Sequence, residues 1–168
     1  MATTYQDSIT FEQPVTLEGG VTIDPASVSA ANTFVPCKRY VSQLITQAAL
    51  SAGATCTVAL TGEPTAMIPQ ACYVVTDETT TSGDAATTGL TCEVGLAGDP
   101  DFLMVSTSVF GAAGRKEAYA GVGIDSYRAA DPLVVKFTAV GAGSENCSHI
   151  SNLNLRVVIL YCPVSAEA

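Results

Sequence analysis

Three consecutive hexads open the chain: Ser8-Ile-Thr-Phe-Glu-Gln, Pro14-Val-Thr-Leu-Glu-Gly and Gly20-Val-Thr-Ile-Asp-Pro. Each runs variable residue, β-branched residue, Thr, apolar residue, acid, variable residue. Six is a multiple of two, so an extended chain keeps one chemistry on each face. Ile9, Phe11, Val15, Leu17, Val21 and Ile23 fall on one face. Thr10, Glu12, Thr16, Glu18, Thr22 and Asp24 fall on the other. A hexapeptide period is a mark of β-helices and β-prisms. Three rungs of one chain bury too little to stand alone, so the missing surface must come from neighbouring copies or from another protein. The bland alternative is an edge hairpin that turns at Gly19-Gly20 and docks on its own domain.

The remainder also reads as strands. Thr (20) and Val (18) are abundant among the 168 residues, and both favour strands over helices. Ala54 to Thr61 alternates, with Ala54, Cys56, Val58 and Leu60 on one face, and Gly62-Glu-Pro64 ends it. Gln70–Thr76, Leu90–Leu96, Phe102–Phe110 (a strand or a short helical turn), Leu133–Val140 and Asn152–Cys162 follow. In the last, Leu153, Leu155, Val157, Ile159 and Tyr161 share a face. Asp77 to Gly89 is polar or small throughout and reads as a mobile surface loop. Arg39 to Thr46 fits a strand, although Val41, Leu44, Ile45, Ala48 and Ala49 also have helical spacing. The expected fold is all-β: an antiparallel β-sandwich or jelly roll with an extended N-terminal β-arm of hexapeptide repeats. The arm spans 1–25, a linker 26–36, the sandwich 37–164 and a tail 165–168.

Charge and composition narrow the function. Seven Lys and Arg against 16 acids give a net charge of -9, which repels nucleic-acid backbones. No apolar run is long enough for a membrane helix. The start lacks the basic and apolar regions of a signal peptide, so synthesis in a cytosol is expected. The single histidine, His149, lies near Cys147 and Ser148, but sequence adjacency is not the geometry of a nucleophile and its base. No catalytic, metal or cofactor site is expected. Asp99 and Asp101 read as an Asp-Pro turn rather than a calcium site. None of the six cysteines is spaced as CxxC. Cys56 and Cys92 fall on apolar strand faces and read as buried thiols. Cys37, Cys147, Cys162 and Cys72 are the candidates for cross-links, formed after the protein leaves a reducing cell.

The three hexads resemble the arms of tailed-phage virion proteins. The stretch from Cys92 to Leu103 and the closing Asn152-Leu-Asn-Leu-Arg-Val-Val-Ile-Leu-Tyr resemble small phage β-sandwich proteins that decorate heads or serve as minor structural proteins. The resemblance covers most of the chain by style rather than by invariant motif. It implies a trimeric cement protein on the capsid surface of a virion, made in the host cytoplasm. Its partners would be the major capsid protein and sister copies, with the arm at the capsid or trimer interface. The six cysteines depart from the usual pattern. The competing expectation is a tail-fibre tip or other receptor- or carbohydrate-binding sandwich. That function wants clustered exposed aromatics, whereas this chain has no Trp and its Tyr residues are scattered.

Overall fold

Period-two alternation of Thr with Val, Leu and Cys lays out the strands. The computed structural model describes residues 15–17, 21–23, 38–64, 66–118, 127–128 and 132–163. The chain divides into two units, Met1–Pro36 and Cys37–Ala168.

In the first unit, β1 (Val15–Leu17) and β2 (Val21–Ile23) pair antiparallel, with Val15 opposite Ile23, Thr16 opposite Thr22 and Leu17 opposite Val21. The second and third hexads therefore fold back on each other instead of stacking as parallel rungs. Three intervening residues suffice for an antiparallel return, whereas parallel neighbours need a crossover of about a dozen. The register still pairs apolar with apolar and Thr with Thr, so the two-faced character survives. Ile9, Phe11 and Gly19-Gly20 lie outside the described residues.

The second unit begins with β3 (Lys38–Val41), β4 (Ile45–Thr46) and a 3-10 turn at Gln47–Ala49. Next come β5 (Thr55–Ala59), β6 (Ala66–Thr76), β7 (Thr81–Ser82) and β8 (Thr87–Leu96). Then follow β9 (Asp99–Ser108), β10 (Gly114–Lys116), β11 (Tyr127–Arg128) and β12 (Leu133–Gly141). A second 3-10 turn, Cys147–His149, leads to β13 (Ile150–Ser151) and β14 (Asn154–Pro163). Two antiparallel sheets form the sandwich. The larger runs β10-β6-β14-β3, with β11 beside β6 and β4 beside β14; the smaller runs β5-β12-β8-β9. The inner faces meet in one core that includes Tyr40, Ile45, Met67, Val74, Leu90, Val94, Leu103, Phe137, Leu155 and Ile159.

Local deviations have local causes. The expected single strand from Arg39 to Thr46 breaks at Ser42, whose hydroxyl accepts the Val157 N–H at 2.9 Å in place of a ladder carbonyl. The polar stretch 77–89 is not wholly a surface loop. Thr80 pairs with Gly111, β7 pairs with β13, and β8 already starts at Thr87. Thr87 is buried at no hydrogen-bonding cost, because its hydroxyl accepts the Asn146 N–H at 3.0 Å. The turn expected at Gly98 to Asp101 sits one step earlier, and Asp99 already belongs to β9. The candidate helical turn at 102–110 is strand up to Ser108.

Side chains close the sandwich between β3 and β5. The Tyr40 hydroxyl donates to the Thr61 carbonyl at 2.9 Å. The Gln43 amide donates to the Ala59 carbonyl at 2.8 Å and accepts the Thr61 N–H at 3.1 Å. At the far end of β12, Gly141 passes directly against the Ala86 carbonyl, and a Cβ there would collide with that oxygen. Replacing Gly141 by alanine should therefore destabilise the protein by about 2–3 kcal/mol, an overpacking cost the backbone must absorb. A thermal melt beside Gly62→Asp, whose position has open space for a Cβ but a positive φ, separates collision from strain. The Gly141 variant should lose more, and equal melting temperatures for Gly141→Ala and the wild type would refute the collision.

Candidate assembly surface

The most distinctive surface of the described residues is the outer face of the larger sheet. The strands of that sheet carry Lys38, Arg39, Arg115, Lys116, Arg128 and Arg156, six of the chain's seven basic residues, and no acid. Arg39, Arg115 and Arg156 fall on the outer face, whereas Lys38 alternates with Arg39 onto the side of Tyr40 and Lys116 stands opposite the core residue Val74. The strands of the smaller sheet carry Glu93, Asp99 and Asp101 against Lys136 alone. Basic residues thus concentrate on the strands of the larger sheet, and Glu117 and Asp77, just beyond its strands, pair with Arg115 and Arg156.

Register places the outward residues in rows. Val41 on β3 stands opposite Val158 on β14, which stands opposite Tyr73 on β6. Arg39, Leu160 and Ala71 form the next row, and Arg115, Val75 and Arg156 a third. Val158 is on the outer side, outside the core cluster, yet only 1% exposed. Val41 beside it is 42% exposed. The Arg115 guanidinium lies 3.8 Å above the centre of the Tyr73 ring and also pairs with Glu117. Arg156 binds Asp77 at 2.6 Å. Among the described residues neither Lys38 nor Arg39 has an ion-pair partner. An aliphatic and aromatic centre within an arginine rim has the composition of a protein-binding patch. The outer face of the smaller sheet contrasts with it. There Thr57, Lys136 and Glu93 make one row, Thr55, Thr138 and Thr91 the next, and Lys136 is neutralised by Glu93 at 3.1 Å.

The expected site residues fall as follows. Val15, Leu17, Val21 and Ile23 are the four apolar positions of the β1–β2 pair. Cys56, Cys72, Cys92 and Cys147 are buried thiols, and no disulfide is present among the described residues. Two of the cross-link candidates are therefore core residues. Cys72 lies on the inner face of β6 opposite Ile159, and burial pushes its thiol up to about 12. Cys147 donates to the Ala54 carbonyl at 3.5 Å, and its thiol is also pushed up, chiefly by burial. A thiol held protonated is a poor partner for exchange. Cys162 is half-buried near the end of β14, and Cys37 lies outside the described residues.

Two clusters with chemical potential resolve into structure. His149 Nδ1 is 3.4 Å from the Thr87 hydroxyl and 3.7 Å from Asp84 Oδ2. Both partners share one ring nitrogen, whereas a nucleophile relay uses one nitrogen for the carboxylate and the other for the nucleophile. Ser148 directs its hydroxyl to Asn146 Oδ1 at 2.8 Å, and that oxygen also accepts the Gly53 N–H. The loop is tied down by these bonds. Asp99 and Asp101 share a hydrogen bond, the main reason the Asp99 carboxyl is raised. No group of three metal-binding side chains assembles among the described residues.

The arginine-framed face escapes sequence reading, because it joins residues 38–41, 71–75, 115 and 156–160. Of the seven basic residues, Arg39, Lys136 and Arg156 lie in segments that the sequence marks as strands, and the rest do not. No protein family, curated protein or solved structure was found to match this chain. Fold alone places it, as an all-β sandwich protein.

Proposed function

We propose that this protein is a structural component of a phage virion, a decoration protein that binds the capsid shell as a homotrimer and stabilises it. The observation that carries the reading is the division of labour along the chain. Cys37–Ala168 contains a core of its own, while Met1–Pro36 is a separate unit built on two-faced hexads. A repeat with an apolar face suits binding through backbone pairing and alternate side-chain pockets. The resemblance of the hexads and of the two later stretches to phage head proteins points the same way. An overall negative charge keeps such a protein off the packaged genome. Cys37 and Cys162 are the cysteines left for a covalent cross-link in the mature particle, because Cys72 and Cys147 are buried as thiols.

The test is co-sedimentation of the full chain with empty shells assembled from the major capsid protein. Replacing Phe11 and Leu17 by Asp should abolish it, since each large apolar side chain left unburied forfeits roughly 1.5–3 kcal/mol. Several arms in one oligomer multiply that loss through avidity. Unchanged shell binding by the double variant would refute the role of the arm. Binding to host cells and not to shells would move the protein to the receptor-binding class.

A further inference from the structure

The ladder between β3 and β14 runs toward two cysteines. Its register pairs Val41 with Val158, Tyr40 with Ile159, Arg39 with Leu160 and Lys38 with Tyr161. The next step of that register is Cys37 with Cys162, each bonded directly to a residue of the last pair. Parity agrees. Tyr40 and Ile159 belong to the core and Tyr161 packs against it, so the alternate positions Arg39 and Leu160 face outward. Cys37 and Cys162 each lie two residues further along. The hydrogen-bond phase selects the same pair. The Ser42 N–H donates to the Val157 carbonyl at 2.9 Å, and the Val157 N–H donates to the Ser42 hydroxyl, so these two residues form a hydrogen-bonded site of the ladder. Sites alternate along an antiparallel pair, which makes the step from Cys37 to Cys162 a non-hydrogen-bonded one. At such sites opposing Cα atoms lie about 4.5 Å apart, inside the roughly 4.4–6.8 Å that a disulfide spans.

We propose that Cys37 and Cys162 of the same chain join as a cross-strand disulfide that clasps β3 to β14, an inference that rests on the cross-link reading above and names the partner of each thiol. Cys56, Cys72, Cys92 and Cys147 are buried, out of reach of an exchange partner. The oxidant is a small disulfide such as oxidised glutathione. One protein thiolate attacks it and expels a glutathione thiolate. The second protein thiolate attacks the protein sulfur of the mixed disulfide and expels the other glutathione. Two thiols become one S–S bond, one glutathione disulfide becomes two glutathiones, and the two thiol protons go to them. The clasp secures the start of the sandwich. β3 is four residues long and, among the described strands, pairs with β14 alone, whereas β14 also pairs with β6 along its length. A pull on the residues before β3 strips it from the sheet in the reduced chain and loads β14 directly in the oxidised one.

The experiment treats the reduced full chain with oxidised glutathione under native conditions and then alkylates the remaining thiols in denaturant. Trypsin cuts after Lys38 and Arg156, so Cys37 and Cys162 each stand alone in the peptides 1–38 and 157–168. Those two peptides should appear as one disulfide-linked species, and the protein should keep the mass of a single chain on a non-reducing gel. Closing a loop from residue 37 to residue 162 should raise the melting temperature by roughly 5–10 °C, and a reducing agent should remove the gain. Cys37→Ser and Cys162→Ser should each lack it. Six alkylated thiols overturn the inference, as does linkage of either peptide to one of the buried cysteines. The same two peptides linked in a species of doubled mass place the bond between chains and overturn the clasp, while the cross-link of the mature particle stands. Shell binding is scored separately. An oxidised chain that carries the clasp but ignores shells overturns the decoration role and leaves the clasp standing.

Discussion

Replacing Phe137 by alanine should cost about 3–5 kcal/mol, the range for removing a buried aromatic ring. Phe137 is fully buried at the middle of β12. Its register neighbours are Cys56 on β5 and Cys92 on β8. Small thiols on both sides leave room for the ring, and neither is long enough to fill the space it vacates. The cavity therefore persists, and lost contacts add to lost transfer free energy. For a chain of this length each kcal/mol lowers the melting temperature by roughly 2–4 °C, so the drop should reach about 10 °C. Val140, three residues on and 45% exposed, is the control; its alanine variant should stay within about 0.5 kcal/mol of wild type. Urea titration of both variants at neutral pH decides it. A loss under about 1 kcal/mol for Phe137→Ala would mean that this part of the core can collapse around the gap.

Strand alternation is what the sequence makes legible. Leu90 to Leu96 alternates, so its inward set can be read directly: Leu90, Cys92 and Val94 are buried, and Leu96, at the strand end, is partly so. The inward set Leu153, Leu155, Val157 and Ile159 was equally plain, and all four are buried. The phase ends at a bulge between Leu160 and Tyr161. Burial that depends on partners was not legible. Thr87 reads as loop until the Asn146 N–H is there to satisfy it. Val158 belongs to the solvent face by alternation yet is only 1% exposed, and its cross-strand neighbours Val41 and Tyr73 come from 117 and 85 residues away. The hexad repeat was visible because it is contiguous. The basic face was not, because it exists only once β3, β6, β10 and β14 lie side by side. Short-range pattern carries period and parity; it carries no information about which strands become neighbours.

Stability should fall steeply above about pH 9, and the buried thiols are the cause. Burial pushes the Cys72 thiol from 9.0 up to about 12. Burial raises Cys92 still more, with smaller contributions from Cys72 and Glu93. Once unfolded, both thiols titrate near 9.0. Below that pH, folded and unfolded chains hold the same protons, and these two groups make stability independent of pH. Above it the unfolded chain has lost protons that the folded chain keeps, so rising pH favours unfolding. Each thiol contributes about 1.4 kcal/mol per pH unit, and the two together nearly 3. Natural domains have roughly 5–15 kcal/mol in hand, so unfolding within the alkaline range follows. Tyr40, raised to about 12 chiefly by burial and then by Glu63, adds to the slope only above its ordinary value of 10.0. The window between pH 9 and 10 therefore isolates the cysteines. Urea midpoints there should drop steadily for the wild type. The double variant Cys72→Ala with Cys92→Ala should be less stable at neutral pH, through its cavities, yet its slope across the same window should be much shallower, with the remainder coming from Cys147. An unchanged slope in that variant would show that these two thiols do not govern the alkaline limit.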